Sequence, residues 1–371
     1  MGRFPFQDSL KTPIPVAQIV GNAQLGGVVS CLLNYYQYVD KEKYRFDFIT
    51  YGPSQFEEKV CRIDGNSRIY YVPHFDGATF PKAKAQLKNL LSRGNYAIAH
   101  SHLTTLSAFS LASAKSAGVP VRICHAHSTF DRQSDHYAVK KLLRPFAAKN
   151  ATHLMACGKL AAQNLYRSRA DEAFVLHNAI DLERFSPNGK TAAKEGYTAL
   201  FAGRFAPQKN LFFLIDAFAI ACKIRPMNLV MLGDGAQREA LEAYAKRLGV
   251  NRFIRWVAPC DPAPWYRAAD VFVLPSLYEG LPVVGIEAQA TGLPCLFSDK
   301  VSDEANVCGG NEFLPLDAEI WAKALTKERC RQTGNTEILQ KAHYDIRTEA
   351  HRLTDYYDAA LNGANIRICT E

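Results

Sequence analysis

Two glutamates eight positions apart, Glu279 and Glu287, lie within the run SLYEGLPVVGIEA of residues 276–288. A strand ending at Pro275 would deliver Glu279 to a loop, where a carboxylate can accept hydrogen bonds from hydroxyl groups such as those of a sugar. Pro282 is expected as the first helical residue, a position where its missing N–H costs little. The free amides of that first helical turn, together with the helix dipole, predict an anion site suited to a diphosphate.

Glu287 falls inside the helix predicted over Val283–Thr291, among apolar side chains such as Val284 and Ile286. A carboxylate in such surroundings needs a hydrogen-bonding partner. The paired hydroxyls of a ribose would supply one. The alternative is a glutamate that is satisfied within the protein or partly exposed.

A second motif, FAGRFAPQKN at residues 201–210, follows the first strand predicted in the C-terminal half. It presents Arg204 and Lys209 at the strand end, just before a helix that begins near Asn210. The planar guanidinium of arginine and the compact ammonium of lysine both suit phosphate oxygens. Two cations at this place would stabilise the charge that develops on a departing nucleotide diphosphate. Solvated surface charges are the alternative.

A glycine-containing loop, Gly21–Gly27, joins the first predicted strand to the first helix. Gly26 and Gly27 would let backbone amides approach a ligand closely. The loop lacks the GxGxxG spacing of dinucleotide-binding folds, which argues against a simple NAD enzyme.

Histidines recur in pairs after two predicted strands, as His100 with His102 and as His125 with His127. Alternation in extended backbone places the members of a pair on one side. His125 or His127 is a candidate contact for a sugar hydroxyl or an acceptor, whereas His100 and His102 are either ligand-lining or structural. A zinc pair competes, but no third ligand lies nearby in sequence, so we predict no metal.

Short β-type runs alternate with helical patterns along the chain, which predicts βαβ units and parallel sheets. In the first half the strand candidates are Val16–Val20, Phe46–Tyr51, Ile69–Val72, Ala97–His100, Val121–Cys124, His153–Cys157 and Ala173–Leu176, and the helices are Val28–Val39, Lys82–Ser92, Thr104–Ala117, Ala138–Lys149 and Lys159–Arg167.

The pattern restarts after the polar stretch Ser186–Gly196, which we interpret as a linker. The second half contains the strand candidates Thr198–Ala202, Asn228–Leu232, Phe253–Val257, Val271–Pro275, Pro294–Phe297 and Glu312–Leu314, the helices Phe212–Cys222, Gln237–Gly249, Pro264–Arg267, Val283–Thr291 and Trp321–Leu325, and a helical tail over Ile338–Leu361. Two α/β halves imply a cleft between two sheets as the default active site.

Composition is that of a soluble globular protein, with 48% hydrophobic and 22% charged residues. The ten cysteines are scattered without a CxxC pair, which indicates reduced thiols and a cytoplasmic location. No apolar run reaches a membrane-spanning length, and the first residues lack a signal-peptide core. A myristoylation site at Gly2 is not expected, because Phe6 stands where Ser or Thr is required.

Positive charge is concentrated in residues 1–185, which contain 23 Lys and Arg against 14 Asp and Glu. Residues 140–149 form a basic amphipathic segment within that half. Such a segment predicts peripheral docking on an anionic membrane that presents a lipid-linked acceptor. A helix with a solvated basic face is the alternative.

These motifs, in this order, resemble family-four glycosyltransferases of the GT-B fold, and the resemblance covers nearly the whole chain. The opening of capsule and exopolysaccharide members is matched by Gly26–Ser30 with Asn34–Tyr36 and Asp40. Their middle motif is matched by Arg122, Ile123 and residues 125–128. The interdomain element is matched by His177–Asp181 and Phe185, with Ala179 where the family has glycine, and Gly233–Gly235 follows in the family order.

The resemblance implies a retaining transferase with two Rossmann-like domains facing across a cleft. Residues 1–188 would bind the acceptor and residues 189–343 the nucleotide-sugar donor, while a helix at about 344–371 packs back onto the first domain. The implied catalytic residues are Arg204, Lys209, Glu279, His127 and His125. The implied donor-binding residues are Gly26, Gly27, Arg204, Lys209, Gly233, Val257, Glu279, Gly280, Leu281, Pro282, Val283 and Glu287.

Within that set the resemblance assigns the diphosphate to Arg204 and Lys209, the ribose to Glu287 and the transferred sugar to Glu279. It implies front-face attack by the acceptor hydroxyl, without a protein nucleophile, a divalent metal or another cofactor. The donor is expected to be a UDP-sugar, and the acceptor a glycan or lipid-linked glycan in bacterial capsule, exopolysaccharide or lipopolysaccharide synthesis. Nucleic acid is not an expected partner. A nucleotide-sugar epimerase of the same fold and a catalytically inactive assembly subunit are the alternatives.

Overall fold

The computed structural model describes residues 12–23, 26–75, 77–127, 137–279 and 281–363. The chain divides into two compact units. The first runs as far as His177 and is completed by the residues from Arg347 onward, whereas the second comprises Asn178–Ile346. The polar stretch Ser186–Gly196 lies within the second unit, where Arg267 donates hydrogen bonds to the carbonyls of Ser186 (2.8 Å) and Lys190 (3.1 Å).

The first unit alternates strands and helices along the chain. Its strands are β1 (Ile14–Gly21), β2 (Tyr44–Thr50), β3 (Arg68–Tyr71), β4 (Ile98–Ser101), β5 (Val121–Ala126), β6 (His153–Ala156) and β7 (Phe174–Val175), and its helices are α1 (Gly27–Tyr38), α2 (Gln55–Ile63), α3 (Phe80–Gly94), α4 (Ser107–Ser116), α5 (Tyr137–Leu143) and α6 (Lys159–Tyr166).

The second unit repeats this pattern. Its strands are β8 (Thr198–Ala202), β9 (Asn228–Leu232), β10 (Ile254–Val257), β11 (Val271–Leu274), β12 (Cys295–Ser298) and β13 (Glu312–Leu314), and its helices are α7 (Leu211–Ile224), α8 (Arg238–Arg247), α9 (Ala263–Ala268), α10 (Val283–Ala290), α11 (Ala318–Thr326) and α12 (Asn335–Lys341).

Each unit has one sheet, and all described pairings in both sheets are parallel. The strand orders are β3-β2-β1-β4-β5-β6-β7 and β10-β9-β8-β11-β12-β13. In both sheets the order reverses beside the unit's first strand, between β1 and β4 and between β8 and β11. Loops on the two sides of such a reversal leave in opposite directions, which opens a crevice at the carboxyl ends of the strands.

Burial shows how the sheets are covered. Every residue of β4, β8, β11 and β12 is buried. A strand with both faces buried requires cover on both faces of the sheet, as in doubly wound α/β folds. Large buried aromatic side chains, among them Phe218, Phe272 and Trp321, fill the core of the second unit.

Helices α2 and α5 differ from the sequence prediction. Helix α2 was not predicted, although Ser54 and Glu57 form a complete capping box at its start. Helix α5 stops at Leu143 instead of continuing to Lys149. Pro145 follows in a single 3-10 turn, because proline cannot continue the hydrogen-bond ladder of an α-helix.

The C-terminal region, predicted as helical over Ile338–Leu361, contains α12 and a separate helix, α13 (Ile346–Leu361). The residues between them pair with Ile180 instead of continuing the helix. The Ile180 amide donates to the carbonyl of Tyr344 and the Ile346 amide donates to the carbonyl of Ile180, both at 3.0 Å. His343 marks the break with a φ of 65°.

Helix α13 packs in the first unit through Tyr357. This ring is fully buried, and its centroid lies 5.4 Å from that of Tyr44 and 6.2 Å from that of Phe46. None of the helices in the described ranges combines the length and apolar character that a bilayer crossing requires.

Candidate active site

The loops that follow β8 and β11 contain the predicted cations and the first predicted glutamate. Arg204 and Lys209 lie after β8, and Glu279 lies after β11. Because these strands are neighbours at the reversal of the second sheet, both loops leave from the edge where α/β folds bind ligands.

Lys209 and Glu279 form an ion pair, with the lysine ammonium donating to Oε1 of the carboxylate. Only 15% and 12% of the two side chains are exposed. The Ser276 hydroxyl donates a second hydrogen bond to the same carboxylate oxygen at 3.0 Å. The structure therefore brings Lys209 and Glu279 together and restrains both.

Gln208 joins the same two loops through one side-chain and one backbone hydrogen bond. Its side-chain amide donates to the carbonyl of Tyr278 at 2.9 Å, and its carbonyl accepts from the amide of Leu277 at 2.8 Å. The loops after β8 and β11 thus form one hydrogen-bonded assembly at the strand ends.

Arg204 is exposed. The backbone on either side of it contacts the loop that follows β9. A Cβ on Gly233, which has a φ of 145°, would lie 1.9 Å from the carbonyl oxygen of Gly203. The Phe205 amide donates to the carbonyl of Asp234 at 2.8 Å. Glycine at 233 is therefore required for the loop after β9 to press against the loop that presents Arg204.

Helix α10 begins where the predicted span Val283–Thr291 begins, but Pro282 is not its first helical residue. Pro282 is its N-cap, with an extended ψ of 113°, and Val283 is the first helical residue. The Pro282 carbonyl accepts from the amides of Gly285 (2.9 Å) and Ile286 (3.4 Å). The amides of Val283 and Val284 precede these first hydrogen bonds of the helix and therefore have no acceptor within the helix. Leu281 and Val283 are buried, and Gly280 lies outside the described residues.

Glu287 is partly buried, and the buried Tyr266 donates a hydrogen bond to its Oε2 at 2.9 Å. Burial raises the pKa of Glu287 to about 7, while this hydrogen bond and the guanidinium of Arg184 act to lower the pKa. Tyr266 of α9 thus supplies one of the hydrogen bonds that the Glu287 carboxylate requires in these surroundings. The structure does not record a contact between Glu287 and the Lys209–Glu279 pair within the described residues.

Val257, the predicted base contact, ends β10 and is partly buried. Its carbonyl accepts from the Gly233 amide at 2.9 Å. The backbone of Val257 therefore holds the glycine loop in place, and a contact between its side chain and a base stays a prediction.

In the first unit, Gly26 and Gly27 lie at the start of α1, after β1. Gly26 is the N-cap in an extended conformation, and both glycines are exposed. A Cβ on Gly27 would meet no atom of the described residues within 4 Å. The described part of the chain thus leaves open space beside Gly27, as close approach of a ligand would need.

His125 and His127 lie together with His100 and His102 in one buried cluster. His100 Nε2 is 3.0 Å from His125 Nδ1, and His102 Nδ1 is 2.7 Å from His127 Nε2. The sequence argument against a metal was incomplete, since ring nitrogens of three histidines (His100, His102, His125) lie within 4.8 Å of one another. The predicted face-sharing of each pair is confirmed by ring-centroid distances of 4.3 Å for His100 with His102 and 3.8 Å for His125 with His127.

The sequence prediction missed three residues that contact the predicted sites. Tyr266 binds Glu287, and Gln18 and Tyr357 bind the histidine cluster. Gln18 carried a signal, because a glutamine inside an otherwise apolar buried strand requires partners. Tyr266 and Tyr357 carried none, since their partners are distant in sequence.

Family models match both halves of the chain. Residues 25–184 match the model described as Glycosyltransferase Family 4, and residues 196–327 match the model described as Glycosyl transferases group 1. The EpsF protein of Bacillus subtilis (strain 168), named as a glycosyltransferase, is 32% identical in an alignment 371 positions long that covers 92% of this chain and 96% of EpsF. The chain belongs to the family-four glycosyltransferases.

A second relative of this family-four glycosyltransferase is the UDP-Gal:alpha-D-GlcNAc-diphosphoundecaprenol alpha-1,3-galactosyltransferase of Escherichia coli. It is 28% identical in an alignment 316 positions long, which covers 78% of this chain and 81% of the relative. The crystal structure of HepE from Anabaena in complex with UDP-glucose matches with a TM-score of 0.78 and 16% identity, over 93% of this chain and 100% of HepE. The predicted fold class, two parallel-sheet α/β units of GT-B type, and the prediction of a transferase are both confirmed.

Proposed function

We propose that this glycosyltransferase moves a sugar from a nucleoside-diphosphate sugar to a hydroxyl of a glycan or lipid-linked glycan, with retention of anomeric configuration. The observation that carries the proposal is the Lys209–Glu279 pair at the reversal of the second sheet. A cation and a carboxylate in contact at a strand end match the diphosphate and the hydroxyls of such a donor.

The pair retains capacity for a ligand. An ammonium has three N–H donors, so Lys209 can hold Glu279 and still donate to phosphate oxygens. A carboxylate has two oxygens, and Oε1 of Glu279 serves both Lys209 and Ser276. Oε2 can then accept from hydroxyls of the transferred sugar, which is the role that the family resemblance implies for Glu279.

Negative charge builds up on the diphosphate as the glycosidic bond breaks. Arg204 and Lys209 would neutralise that charge, assisted by the amides of Val283 and Val284 at the start of α10. The leaving diphosphate would assist deprotonation of the acceptor hydroxyl, which attacks from the same face. We propose that this step uses no protein nucleophile, metal or other cofactor, with His125 or His127 contacting a sugar hydroxyl or the acceptor. Gly26 and Gly27 would contribute amides to the phosphates.

The nucleotide is proposed to be UDP. Two observations support this choice, since the Escherichia coli relative is named for UDP-Gal and HepE was solved with UDP-glucose. Glu287 would bind the ribose with the carboxylate oxygen that Tyr266 does not occupy, and Val257 would contact the base.

The acceptor is proposed to be a lipid-linked glycan of capsule, exopolysaccharide or lipopolysaccharide synthesis, and not a nucleic acid. The diphosphoundecaprenol in the name of the Escherichia coli relative supports a lipid-linked acceptor. Helix α5 and the turn after it expose Val139 (52%), Leu142 (71%) and Phe146 (48%) beside Lys140 and Lys141. Exposed apolar side chains among lysines fit the inner face of an anionic cell membrane, so we propose a cytoplasmic enzyme that docks there peripherally.

A donor screen followed by a transfer assay tests this function. We expect UDP or a UDP-sugar to raise the melting temperature more than GDP, ADP and their sugars, because a ligand of the folded state stabilises that state. With a matching acceptor, the stabilising donor should yield a glycosidic product whose anomeric configuration equals that of the donor. Conversion of the donor without an acceptor would identify an epimerase instead. Polysaccharide output in cells that is unaffected by Glu279→Ala and Arg204→Ala would identify an inactive subunit.

A further inference from the structure

Four histidines and Gln18 form a connected group at the carboxyl end of the first sheet. Gln18 lies opposite His100 in the β1–β4 register, and His100 lies opposite Ile123, two residues before His125. Residues in register or two apart share a face of the sheet, so these side chains meet on one side. Gln18, the four histidines and Tyr357 are all at most 8% exposed.

All four imidazoles are neutral near pH 7. Burial lowers the pKa of His100 and His127 to about 3, and burial with repulsion from the neighbouring rings lowers the pKa of His102 and His125 well below the usual value. A neutral imidazole has one N–H and one bare nitrogen. Each hydrogen bond at one nitrogen therefore determines what the other nitrogen can do.

One arm of hydrogen bonds runs from the Gln18 amide nitrogen. That nitrogen donates to the Tyr357 hydroxyl at 3.2 Å, and the hydroxyl lies 2.7 Å from His100 Nδ1. A hydroxyl that accepts from Gln18 has its own proton left to donate to Nδ1. His100 then carries its proton on Nε2 and donates to His125 Nδ1 at 3.0 Å, so His125 must carry its proton on Nε2.

The other arm runs from the Gln18 amide oxygen. That oxygen accepts from His102 Nε2 at 2.8 Å, which leaves His102 Nδ1 bare. His127 Nε2 lies 2.7 Å from that bare nitrogen and must donate to it. The proton of His127 is thus on Nε2, and Nδ1 of His127 is bare.

The two arms end in atoms of opposite character. His125 Nε2 is an N–H donor and His127 Nδ1 is an acceptor, and both atoms are buried without a hydrogen-bond partner among the described residues. Their ring centroids are 3.8 Å apart. Rotating the Gln18 amide by half a turn exchanges donor and acceptor in every hydrogen bond of both arms. His125 Nε2 then becomes the acceptor and His127 Nδ1 the donor, so one end still donates and the other still accepts. In either state all four histidines share one tautomer.

We propose that Gln18 is a positioning residue that sets the tautomers of His125 and His127 so that they bind one hydroxyl oxygen as a donor and acceptor pair. A hydroxyl can accept from one ring and donate to the other. The same histidines line a cavity of about 10 Å³, close to the lower limit for a single water-sized oxygen. The occupant is either a substrate hydroxyl, in which case the assignment rests on the proposed transfer reaction, or a buried water.

Hydrogen bonding explains the geometry of the cluster better than a metal does. Tetrahedral zinc with bonds near 2.0–2.1 Å holds its ligand nitrogens roughly 3.3 Å apart. The facing nitrogens lie 3.0 and 2.7 Å apart, within hydrogen-bonding distance, and the rings of His100 and His125 are stacked at 16°. Stacked rings do not direct four lone pairs at one central ion.

Nitrogen NMR of the full chain with ¹⁵N-labelled histidine tests the assignment, because protonated and bare ring nitrogens differ in chemical shift. We expect His100, His102, His125 and His127 to show one common tautomer near pH 7, with the exposed His351 as the internal reference. A mixture in which the members of the cluster differ from one another would overturn the proposal.

Two variants then separate the arms. Tyr357→Phe cuts one arm, so His100 and His125 should lose their fixed tautomer while His102 and His127 keep theirs. Gln18→Met cuts both arms and should release all four rings. Gln289→Met, which removes an equally buried glutamine from the second unit, should change none of the four tautomers. Unchanged tautomers in Gln18→Met would overturn the role of Gln18.

The source of the hydroxyl is resolved by titration with UDP, UDP-glucose and UDP-galactose. Shifts of His125 Nε2 and His127 Nδ1 with a UDP-sugar, but not with UDP, identify a sugar hydroxyl, and Gln18→Met should then lower transfer by about tenfold. Absence of any such shift excludes a hydroxyl of these donor sugars and leaves an acceptor hydroxyl or water as the occupant. If the protein proved to transfer no sugar at all, the tautomer measurements would still decide the role of Gln18.

Discussion

Lys209 and Glu279 form an ion pair across 70 residues of sequence, and the pair joins the loops that follow two adjacent strands, β8 and β11. With at most 15% of either side chain exposed, this pair is screened by water less than a surface ion pair is. The position of each charged group therefore depends on the other. The proposed diphosphate and sugar subsites are coupled for the same reason.

A double-mutant cycle on this pair should reveal that coupling. We expect Lys209→Met and Glu279→Gln each to lower kcat/KM by about 10- to 100-fold, since each removes a charge-assisted hydrogen bond. The double variant should be more active than the product of the single effects predicts, by about 1 kcal/mol or more. Glu239→Gln, an exposed glutamate of α8, is the matched control. Additive effects within about 0.4 kcal/mol would contradict the coupling.

The glycine loop after β9 should tolerate no side chain at position 233. In Gly233→Ala the new Cβ would lie 1.9 Å from the Gly203 carbonyl oxygen, on a backbone that already has a φ of 145°. We expect a loss of about 3 kcal/mol or more in the free energy of unfolding, measured with urea. Gly249→Ala, where φ is also positive but the space is open, should cost only about 1 kcal/mol. Equal losses in the two variants would show that the close approach is not needed.

Glu287 should make stability depend on pH in an unusual direction for a carboxylate. Its folded pKa of about 7 lies above the ordinary 4.5, so the folded state binds the proton more tightly than the unfolded state does. The contribution of Glu287 to the free energy of unfolding is therefore complete below pH 4.5 and is lost as pH rises towards 7. In Glu287→Gln the decline of unfolding free energy over that window should become smaller, whereas Glu319→Gln should leave the decline unchanged. An identical pH profile in wild type and Glu287→Gln would refute the raised pKa.

Helix α5 should determine binding to anionic membranes. We expect the enzyme to sediment with vesicles that contain phosphatidylglycerol and not with phosphatidylcholine vesicles. Lys140→Glu with Lys141→Glu should weaken that binding by about tenfold or more, because each lysine near an anionic surface contributes about 1 kcal/mol. Lys223→Glu with Lys246→Glu, in the second unit, is the charge-matched control. Equal binding by the two double variants would exclude α5 as the docking segment.

The sequence predicted the features that depend on local pattern. Alternating strands and helices identified both sheets, and the positions of Lys209 and Glu279 at strand ends followed from the same alternation. Their ion pair was not predictable, because strand order within the sheet is a long-range property. The same limit applies to Tyr357, which reaches His100 across 257 residues, and to Tyr266 at Glu287.

Other features had a local signal in the sequence, but the prediction followed the pattern of hydrophobicity instead. Ser54 and Glu57 mark the start of α2, and Pro145 follows the end of α5, yet each of these signals consists of only one or two residues within a longer stretch. The buried Gln18 likewise required partners, although the sequence did not identify His102 and Tyr357 as those partners. Single residues thus indicated that a helix boundary or a buried hydrogen bond was needed, whereas the partner residues became known only from the fold.

Titration calorimetry with UDP tests the central claim most directly, namely that the strand ends after β8 and β11 bind a nucleoside diphosphate. We predict that UDP binds the wild-type enzyme, that Lys209→Ala weakens binding by about tenfold or more, and that Lys246→Ala leaves the affinity unchanged. Affinity for UDP that is the same in wild type, Lys209→Ala and Arg204→Ala would contradict the account.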